Sequence, residues 1–580
     1  MMRIGVVLLV LITAGLSACS KEETAAEIIE VRVERIASSR EFKASWLLPS
    51  EARALVFARP SLFRAATWKT KEGQRIERRS SGEVFISDKP TKTFEVTISE
   101  QGSEIANDYT LMTQFSDGGT VLYTGHFDVT PIRCSEGCSE GEIAHVAGQA
   151  SRSRIVAVPA LRESVISGTI ASRGPLAVEP SSAGAMIYFG TQSITKRNGY
   201  SVLADPALPE WIVDELDREL PLIFSLNARR FQQRLAALPV FFVPYKGGSE
   251  IYNLTHAGAV VENSVLLTLY GSSWQRRSDE VRENFLKLVS HEAFHLWNGS
   301  LFRSVNRPGG AWLHEGSADA FAYLTLVELG EISHERYIEL QSRALNRCLL
   351  ALSGASLPQV GDGVINAQYD CGAIIQLLVN QSLSKQRKNI WKLWGSLFSG
   401  ASSNNGYYSH EQFFDLARSE TQNSKLIDKL QSFANGDIFA TQASPAAIES
   451  LFYSTFAMIG GKVEYDDREA QSWYKKLAGE KALLAIVEAD CNGGGTFVPD
   501  GGAVRLIGGS RCSNLKTSQR VEALGGYDVT SEGLDAYDYA FSWCNIRAVI
   551  EVSSSSDGSS PFLQCPKLAK RARYATLSRL

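Results

Sequence analysis

SDEVRENFLKLVSHEAFHLWNG, at residues 278–299, is the stretch that decides the fold class, because it holds a helix and a candidate site together. Ser278 is a favoured N-cap residue, two acidic residues follow it in the first turn, and Gly299 is typical of a helix end. The stretch therefore predicts one helix that ends just before Gly299.

Two histidines and a glutamate on this helix form the pattern HExxH. His291 and His295 are four positions apart and share one helix face, so both imidazoles can reach a single zinc ion. Glu292 then flanks the open coordination position, where a general base is needed. The chain has only eight histidines, so a chance match is improbable. Two histidines that merely hydrogen-bond in a core are the alternative.

A second predicted helix, AWLHEGSADAFAYLTLVEL at 311–329, supplies carboxylates. Nineteen residues separate Glu315 from His295, and Glu315 would complete three protein ligands while leaving a fourth position open, as in catalytic zinc sites. Asp319 lies one turn further on and could accept the free ring N–H of His291 or His295. A solvated helix face is the alternative, but the apolar neighbours of both carboxylates favour a metal site.

These segments resemble a known group of enzymes. HEAFHLWNG at 291–299 and WLHEG at 312–316 are similar to signatures of the gluzincin metallopeptidases, of the aminopeptidase N and glycyl aminopeptidase types. Glu315 and Asp319 also match the ExxxD pattern of thermolysin. The resemblance implies a thermolysin-like, mainly helical catalytic domain that binds one zinc ion per chain and hydrolyses peptides. His314 replaces the family's asparagine or serine, and we expect no zinc contact from it because it points roughly 100° around the helix.

A tyrosine downstream extends the resemblance. YDCGAIIQLL at 369–378 looks like the YxKGA stretch that carries the family's catalytic tyrosine. This implies that Tyr369 donates a hydrogen bond to the oxyanion that forms during hydrolysis. Cys371 replaces the usual lysine, and a tyrosine that only packs in the core is the alternative.

An upstream segment, AGAVVENSVLLTL at 257–269, lies where the family carries GxMEN on an edge strand. The resemblance implies that Glu262 binds the free α-amine of the substrate, the contact that makes a peptidase an exopeptidase. The glycine is displaced and Val261 replaces the methionine, so an ordinary carboxylate at a strand end is the alternative.

The first residues indicate export. Arg3 precedes a short apolar stretch, which predicts a secretory signal peptide over residues 1–18. LSAC, which ends at Cys19, resembles the lipobox of bacterial lipoproteins and implies a lipid anchor on Cys19. Ser20 favours the outer membrane, so we expect a protein of the bacterial cell envelope that faces the periplasm. An ordinary secretory signal with an accidental cysteine is the alternative.

The other eight of the nine cysteines fall into sequence-local twos. An even count in an exported chain predicts disulfides, although spacing does not determine connectivity. A second metal site is the alternative, but no histidines or paired CxxC spacings accompany these cysteines. The candidate pairs are Cys134 with Cys138, Cys348 with Cys371, Cys491 with Cys512, and Cys544 with Cys565.

Charge excludes one class of partner. The formal net charge is −4, and no basic stretch is interleaved with aromatic residues, so a nucleic-acid partner is not expected. Peptide substrates and a membrane, reached through the lipid anchor, are the expected partners. The sequence does not indicate an oligomeric state.

The pattern along the chain predicts a multidomain α+β protein. Short β-branched runs predict an N-terminal β-rich, sandwich-like domain over 19–204, and helical periodicity predicts the catalytic domain over 205–480. Residues 481–580 predict a small β-rich domain. Within it, RVEALGGYDVTSEGLDAYDYA at 520–540 resembles faintly the strand and helix of a PDZ domain.

The expected function is that of a zinc aminopeptidase. A thermolysin-type endopeptidase would share the zinc helix but would not need a free N-terminus in its substrate. A catalytically silent envelope scaffold, with a peptide-binding C-terminal domain, is a third hypothesis, although silent relatives usually lose a ligand or the HExxH glutamate, and all are present in this sequence.

Overall fold

The computed structural model describes most of the chain. The predicted signal peptide, Cys19 and Ser20 lie outside the described residues. Within them, no helix is long and apolar enough to cross a membrane. The described ranges are 28–37, 40–59, 63–80, 82–99, 109–134, 138–147, 153–181, 183–248, 254–305, 309–353, 355–360, 366–437, 444–491, 497–500, 503–506, 512–516, 519–554 and 560–578.

Two sheets form the N-terminal part, which confirms the predicted β-rich character. Every second side chain of the first strand, Ile29–Arg35, is buried, as expected for a strand with one face on a core. Side chains of both sheets share one core, and the rings of Phe42 and Phe189 meet there at 5.1 Å. The elements are β1 Ile29–Arg35, β2 Phe42–Phe57, α1 Arg64–Thr67, β3 Trp68–Thr70, β4 Gln74–Arg79, β5 Gly82–Ile98, β6 Met112–Gln114, β7 Thr120–Tyr123, β8 Val129–Ile132, α2 Glu140–Val146, β9 Ser153–Val158, β10 Ser164–Ser167, β11 Ile170–Ser172, β12 Leu176–Val178 and β13 Met186–Gly190. One sheet has the order β12-β9-β1-β2-β5-β3, with β4 on β5 and β8 on β2, and the other has the order β11-β10-β13-β7-β6.

A third sheet supports the candidate site. Its order is β14-β15-β16-β19-β17, with β18 on β19, and β15, β16 and β19 run parallel. The predicted boundary at residue 204 falls between β15 and β16, which pair with each other, and the sheet itself begins at Thr195. The elements are β14 Thr195–Lys196, β15 Ser201–Ala204, α3 Glu210–Phe231, β16 Val240–Val243, β17 Tyr245–Lys246, β18 Thr255–Val261 and β19 Ser264–Tyr270.

A helical lobe packs against this sheet and carries the predicted site residues. Its apolar helix faces share one large core with the sheet. The elements are α4 Asp279–His295, β20 Arg303–Ser304, α5 Ala311–Glu328, α6 His334–Leu352, α7 Ala367–Ser384, α8 Ile390–Ser402, β21 Tyr407–Tyr408, α9 His410–Thr421, α10 Ser424–Asn435, α11 Pro445–Ile459, β22 Lys462–Tyr465 and α12 Ser472–Asp490.

The C-terminal part packs against the helical lobe, and its independence as a domain remains a prediction. The predicted boundary at residue 480 falls inside α12, and the large core of the helical lobe continues into the C-terminal part. The described C-terminal sheet is antiparallel, in the order β23-β24-β25-β27-β28 with β26 on β25, while β29 returns to pair with β22. Its PDZ-like identity remains a prediction. The elements are β23 Phe497–Asp500, β24 Ala503–Leu506, β25 Arg520–Leu524, β26 Tyr527–Asp528, α13 Gly533–Cys544, β27 Val549–Ser554, β28 Phe562–Gln564 and β29 Ala575–Ser578.

Disulfides join the eight described cysteines in the sequence-local pairs. Two of the bonds lie in the C-terminal part, and a third, Cys348–Cys371, attaches α6 to α7 in the helical lobe. The pairs are Cys134–Cys138, Cys348–Cys371, Cys491–Cys512 and Cys544–Cys565.

Candidate metal centre and active site

Helix α4 presents the two histidines from its buried C-terminal end. Its N-terminus is capped as the sequence predicts, since the Ser278 side chain accepts from the Val281 N–H. The predicted end before Gly299 is wrong, because α4 continues as a π-helical turn over Leu296–Leu301. This wider turn is a form often found at functional sites.

Three side chains converge on one point. The Nε2 atoms of His291 and His295 are 3.0 Å apart, and each lies 3.3 Å from Oε2 of Glu315. They form the one group of three or more potential metal-ligating side chains within 4.8 Å of one another among the described residues. The structure therefore brings together the three ligands predicted from the sequence.

The donor set fits a tetrahedral zinc ion. Zinc with ligand distances of about 2.0–2.1 Å holds its ligand atoms about 3.4 Å apart, close to the separations found here. The Nδ1 atom of each imidazole meets an acceptor oxygen, so with Nδ1 as the donor the Nε2 lone pairs of His291 and His295 are available to a shared metal ion.

Each histidine has its own hydrogen-bond acceptor. Nδ1 of His291 lies 2.7 Å from Oδ1 of Asp319, the partner proposed from the sequence for either histidine. Nδ1 of His295 instead lies 2.8 Å from Oδ1 of Asn298, a residue of the π-helical turn. Sequence reasoning missed Asn298, although its position three residues after His295 on the same helix was the available signal.

The predicted base is buried beside the ligands. Glu292 is 5% exposed, and burial raises the pKa of its carboxyl above the ordinary value. Strand β18 approaches it closely, because a Cβ added to Gly258 would lie 1.9 Å from Glu292 Oε1. Among the described strands, β18 pairs only with β19.

Tyr369 lies against the same cluster. Its ring stacks on that of His291, with centroids 5.7 Å apart and planes 8° apart. Burial, followed by the nearby Glu315 carboxylate, raises the pKa of Tyr369, so its phenol stays protonated and can donate. The next two residues are fixed to α6, since Asp370 pairs with Arg347 at 3.0 Å and Cys371 is bonded to Cys348.

The structure places Glu262 in the turn between β18 and β19. Its side chain is exposed, its φ is 52°, and its carboxylate accepts from Ser181 of the N-terminal part. Val261 lies three positions along the strand from Gly258, a distance of about 10 Å. The amine-binding role of Glu262 therefore remains a prediction.

Two more histidines border the cluster. The His314 ring lies 4.3 Å from that of His295, and its Nε2 lies 3.7 Å from Glu315 Oε1, although His314 is not part of the three-ligand group. His256 on β18 was missed by sequence reasoning because nothing in its local pattern distinguishes it. Burial and the nearby Lys287 cation lower the pKa of His256 to about 4, so it is neutral at physiological pH.

No protein-family model and no curated protein matches the chain. Solved structures do match it. An aminopeptidase N family protein from Idiomarina loihiensis aligns with a TM-score of 0.52 at 13% identity, over 95% of this chain and 98% of that chain. Yeast LTA4 hydrolase in complex with bestatin aligns with a TM-score of 0.42 at 11% identity, over 69% of this chain and 66% of that one. The first likeness shows that the chain has the fold of an aminopeptidase N family protein.

Proposed function

We propose that this protein is a zinc-dependent metallopeptidase that removes N-terminal residues from peptides. The observation that carries the proposal is the convergence of His291, His295 and Glu315. Their ligand atoms are separated by the distances that one shared zinc ion requires, and Glu292 is buried next to them. Two imidazoles and one carboxylate leave a position open, as catalytic zinc sites require.

The side chains around the metal position divide the work of peptide hydrolysis. A zinc ion bound there would supply Lewis acidity, which polarises the scissile carbonyl and increases the acidity of the attacking water. Glu292 takes the proton of that water and passes it to the leaving amine. The phenol of Tyr369 donates a hydrogen bond to the carbonyl oxygen as negative charge develops there. Strand β18, which pairs only with β19 among the described strands, passes next to Glu292 and can pair along its other edge with an extended substrate backbone.

Exchange of Tyr369 for phenylalanine tests its share of this mechanism. Because the hydrogen bond strengthens only as charge develops, Tyr369→Phe should lower kcat far more than it changes KM. Steady-state kinetics on one peptide substrate measures both. Equal losses in the two constants would make Tyr369 a packing residue.

Exopeptidase action is the finer part of the proposal. It is supported by the fold of an aminopeptidase N family protein and by the presence of Glu262 at the end of the edge strand. The position of the Glu262 carboxylate, exposed and bound to Ser181, favours a second candidate, an endopeptidase that does not hold the substrate's amine.

A substrate panel separates the two candidates. Amino-acyl chromogenic substrates and their N-acetylated counterparts are incubated with purified protein, with chelator and with added zinc. Chelator-sensitive cleavage of free-amine substrates alone would support an aminopeptidase. Cleavage of the blocked substrates would show an endopeptidase, and no cleavage by zinc-loaded protein would favour the scaffold hypothesis. The Glu292→Gln variant serves as the control, because it should bind zinc and be inactive.

The cellular place of this activity is a further proposal. The signal peptide and the lipobox cysteine, Cys19, support a lipid anchor in the outer membrane that faces the periplasm. Labelling with radioactive palmitate tests it. Wild-type protein should be labelled and fractionate with the outer membrane, whereas Cys19→Ser should not.

A further inference from the structure

A lysine contacts the aspartate that binds His291, one of the two histidines of the proposed zinc site. Lys287 lies on α4 one turn before His291, and its Nζ is 2.6 Å from Oδ1 of Asp319. The same oxygen is 2.7 Å from Nδ1 of His291. The ammonium, the carboxylate and the imidazole therefore form a continuous chain that ends at the metal position.

This chain is sheltered from solvent. The side chains of Lys287, Asp319 and His291 are 25%, 10% and 7% exposed, respectively. Charge-assisted hydrogen bonds are stronger than neutral ones, and solvent screens them less when they are partly buried. The contact is thus strong enough to set the orientation of the carboxylate.

The other histidine shows why such support is needed. Its acceptor, Asn298, is held by two bonds from its own amide nitrogen, to the His314 carbonyl at 2.8 Å and to Ser317 Oγ at 3.1 Å. Those bonds leave Asn298 Oδ1 directed at His295. The aspartate behind His291 receives the equivalent support from the lysine.

We propose that Lys287 is a positioning residue for the metal centre. Its ammonium holds Asp319 Oδ1 against Nδ1 of His291, which keeps the proton on Nδ1 and directs the Nε2 lone pair at the metal. Lys287 is also the cation in contact with the acidic side chains of the site, because Asp319, which it pairs with, lies against His291, and His291 in turn contacts Glu315. The inference rests on the proposed zinc site but not on peptide hydrolysis.

Zinc affinity tests the role directly. Lys287→Met removes the ammonium and retains most of the apolar stem, and its zinc dissociation constant is measured by competition with a chromogenic chelator. Loss of support behind a metal-ligating histidine typically weakens binding by about 10- to 100-fold, and that loss is expected here. The visible spectrum of cobalt(II)-loaded protein should also change, because it reports ligand geometry.

Two further variants make the result specific. Lys388→Met is the matched control, since Lys388 forms a comparable, partly exposed pair with Glu420 at 2.7 Å on the surface, and it should leave zinc affinity unchanged. Lys287→Arg keeps the charge and should fall between wild type and Lys287→Met. It also serves if the methionine variant does not fold.

A double variant decides whether the lysine acts through the aspartate. Lys287→Met combined with Asp319→Asn should bind zinc no more weakly than Asp319→Asn alone. Additive losses, or zinc affinity and a cobalt spectrum unchanged in folded Lys287→Met, would overturn the proposal. Wild type that binds zinc but cuts no peptide would refute the proposed function and leave this inference standing.

Discussion

At the scale of single residues, a glycine lies against Glu292, the proposed base. A methyl group at Gly258 would lie 1.9 Å from Glu292 Oε1, and the next contacts are also with the Glu292 side chain. The backbone of Gly258 does not have positive φ, so alanine should be tolerated by the strand itself. The substitution should therefore displace the base without unfolding the protein.

Gly258→Ala should accordingly lose most peptidase activity while keeping its zinc. General acid–base catalysis contributes about 10²- to 10⁴-fold to rate, and a displaced base forfeits much of that factor. Steady-state kinetics and zinc content measure the two properties. Gly400→Ala, at a position with open space around it, is the control. Normal activity in Gly258→Ala would show that Glu292 is free to move or is not the base.

Asp128 gives a residue-scale prediction of pH dependence. Burial raises the pKa of its carboxyl to about 6, although the Ser153 N–H donates to it. A raised pKa means that this group contributes stability below about pH 4, which is lost as pH rises through about 6. Asp128→Asn resembles the protonated form, so it should stabilise the protein by up to about 3 kcal/mol at pH 7.5 and change little at pH 4.

Chemical denaturation of wild type and Asp128→Asn at the two pH values measures the difference. Each protein is its own control across pH, because the other ionisable groups are common to both. The same difference in free energy of unfolding at pH 4 and pH 7.5 would contradict the raised pKa.

Residue patterns predicted that His291 and His295 lie together, because HExxH places its groups by helix geometry alone. Glu315 was predicted because it lies in a second helix that the sequence pattern indicates clearly. Asn298, His256 and Lys287 were not found, since their roles depend on a π-helical turn, an edge strand and a contact between helices. Such packing has no signature in local sequence.

At the scale of elements, α7 holds Tyr369 and is itself attached to α6. Cys348–Cys371 spans 23 residues, and the Arg347–Asp370 pair lies directly beside it. Where the resembling family has a lysine, this chain has half of a disulfide. The attachment should matter for catalysis as well as stability, because it adjoins Tyr369, the proposed oxyanion donor.

Replacing both Cys348 and Cys371 with serine should destabilise the protein by about 2–4 kcal/mol and lower kcat. Cys544 and Cys565 provide a matched control, since their bond spans 21 residues in the C-terminal part. Their double serine variant should lose similar stability with kcat unchanged. Calorimetry measures the stability of both variants, and steady-state kinetics measures their kcat values. The same kcat in both variants would show that the α6–α7 bond is structural only.

At the scale of the whole molecule, the sequence predicted the fold class but not how its parts join. The α+β class, the β-rich N-terminal part and the helical lobe followed from periodicity, which is a local property. The boundaries did not follow, because β15 pairs with a strand assigned to the next domain and α12 runs through residue 480. Pairing between strands that are distant in sequence decides where a domain ends, and such pairing cannot be recognised in a single sequence.

The last strand makes this coupling testable. β29 pairs with β22, and the buried Asn346 of α6 exchanges two hydrogen bonds of 2.7 Å with the Ala575 backbone. Removing residues 575–580 would leave the buried Asn346 Oδ1 without the Ala575 N–H, at a cost of about 1–3 kcal/mol, and would also expose β22. The shortened chain should therefore melt at a lower temperature, with the helical lobe and its zinc site lost in the same transition. A chain lacking only residues 579–580 is the control. Calorimetry of zinc-loaded protein measures both, and a helical lobe that melts at the wild-type temperature without β29 would show that the C-terminal part is an independent domain after all.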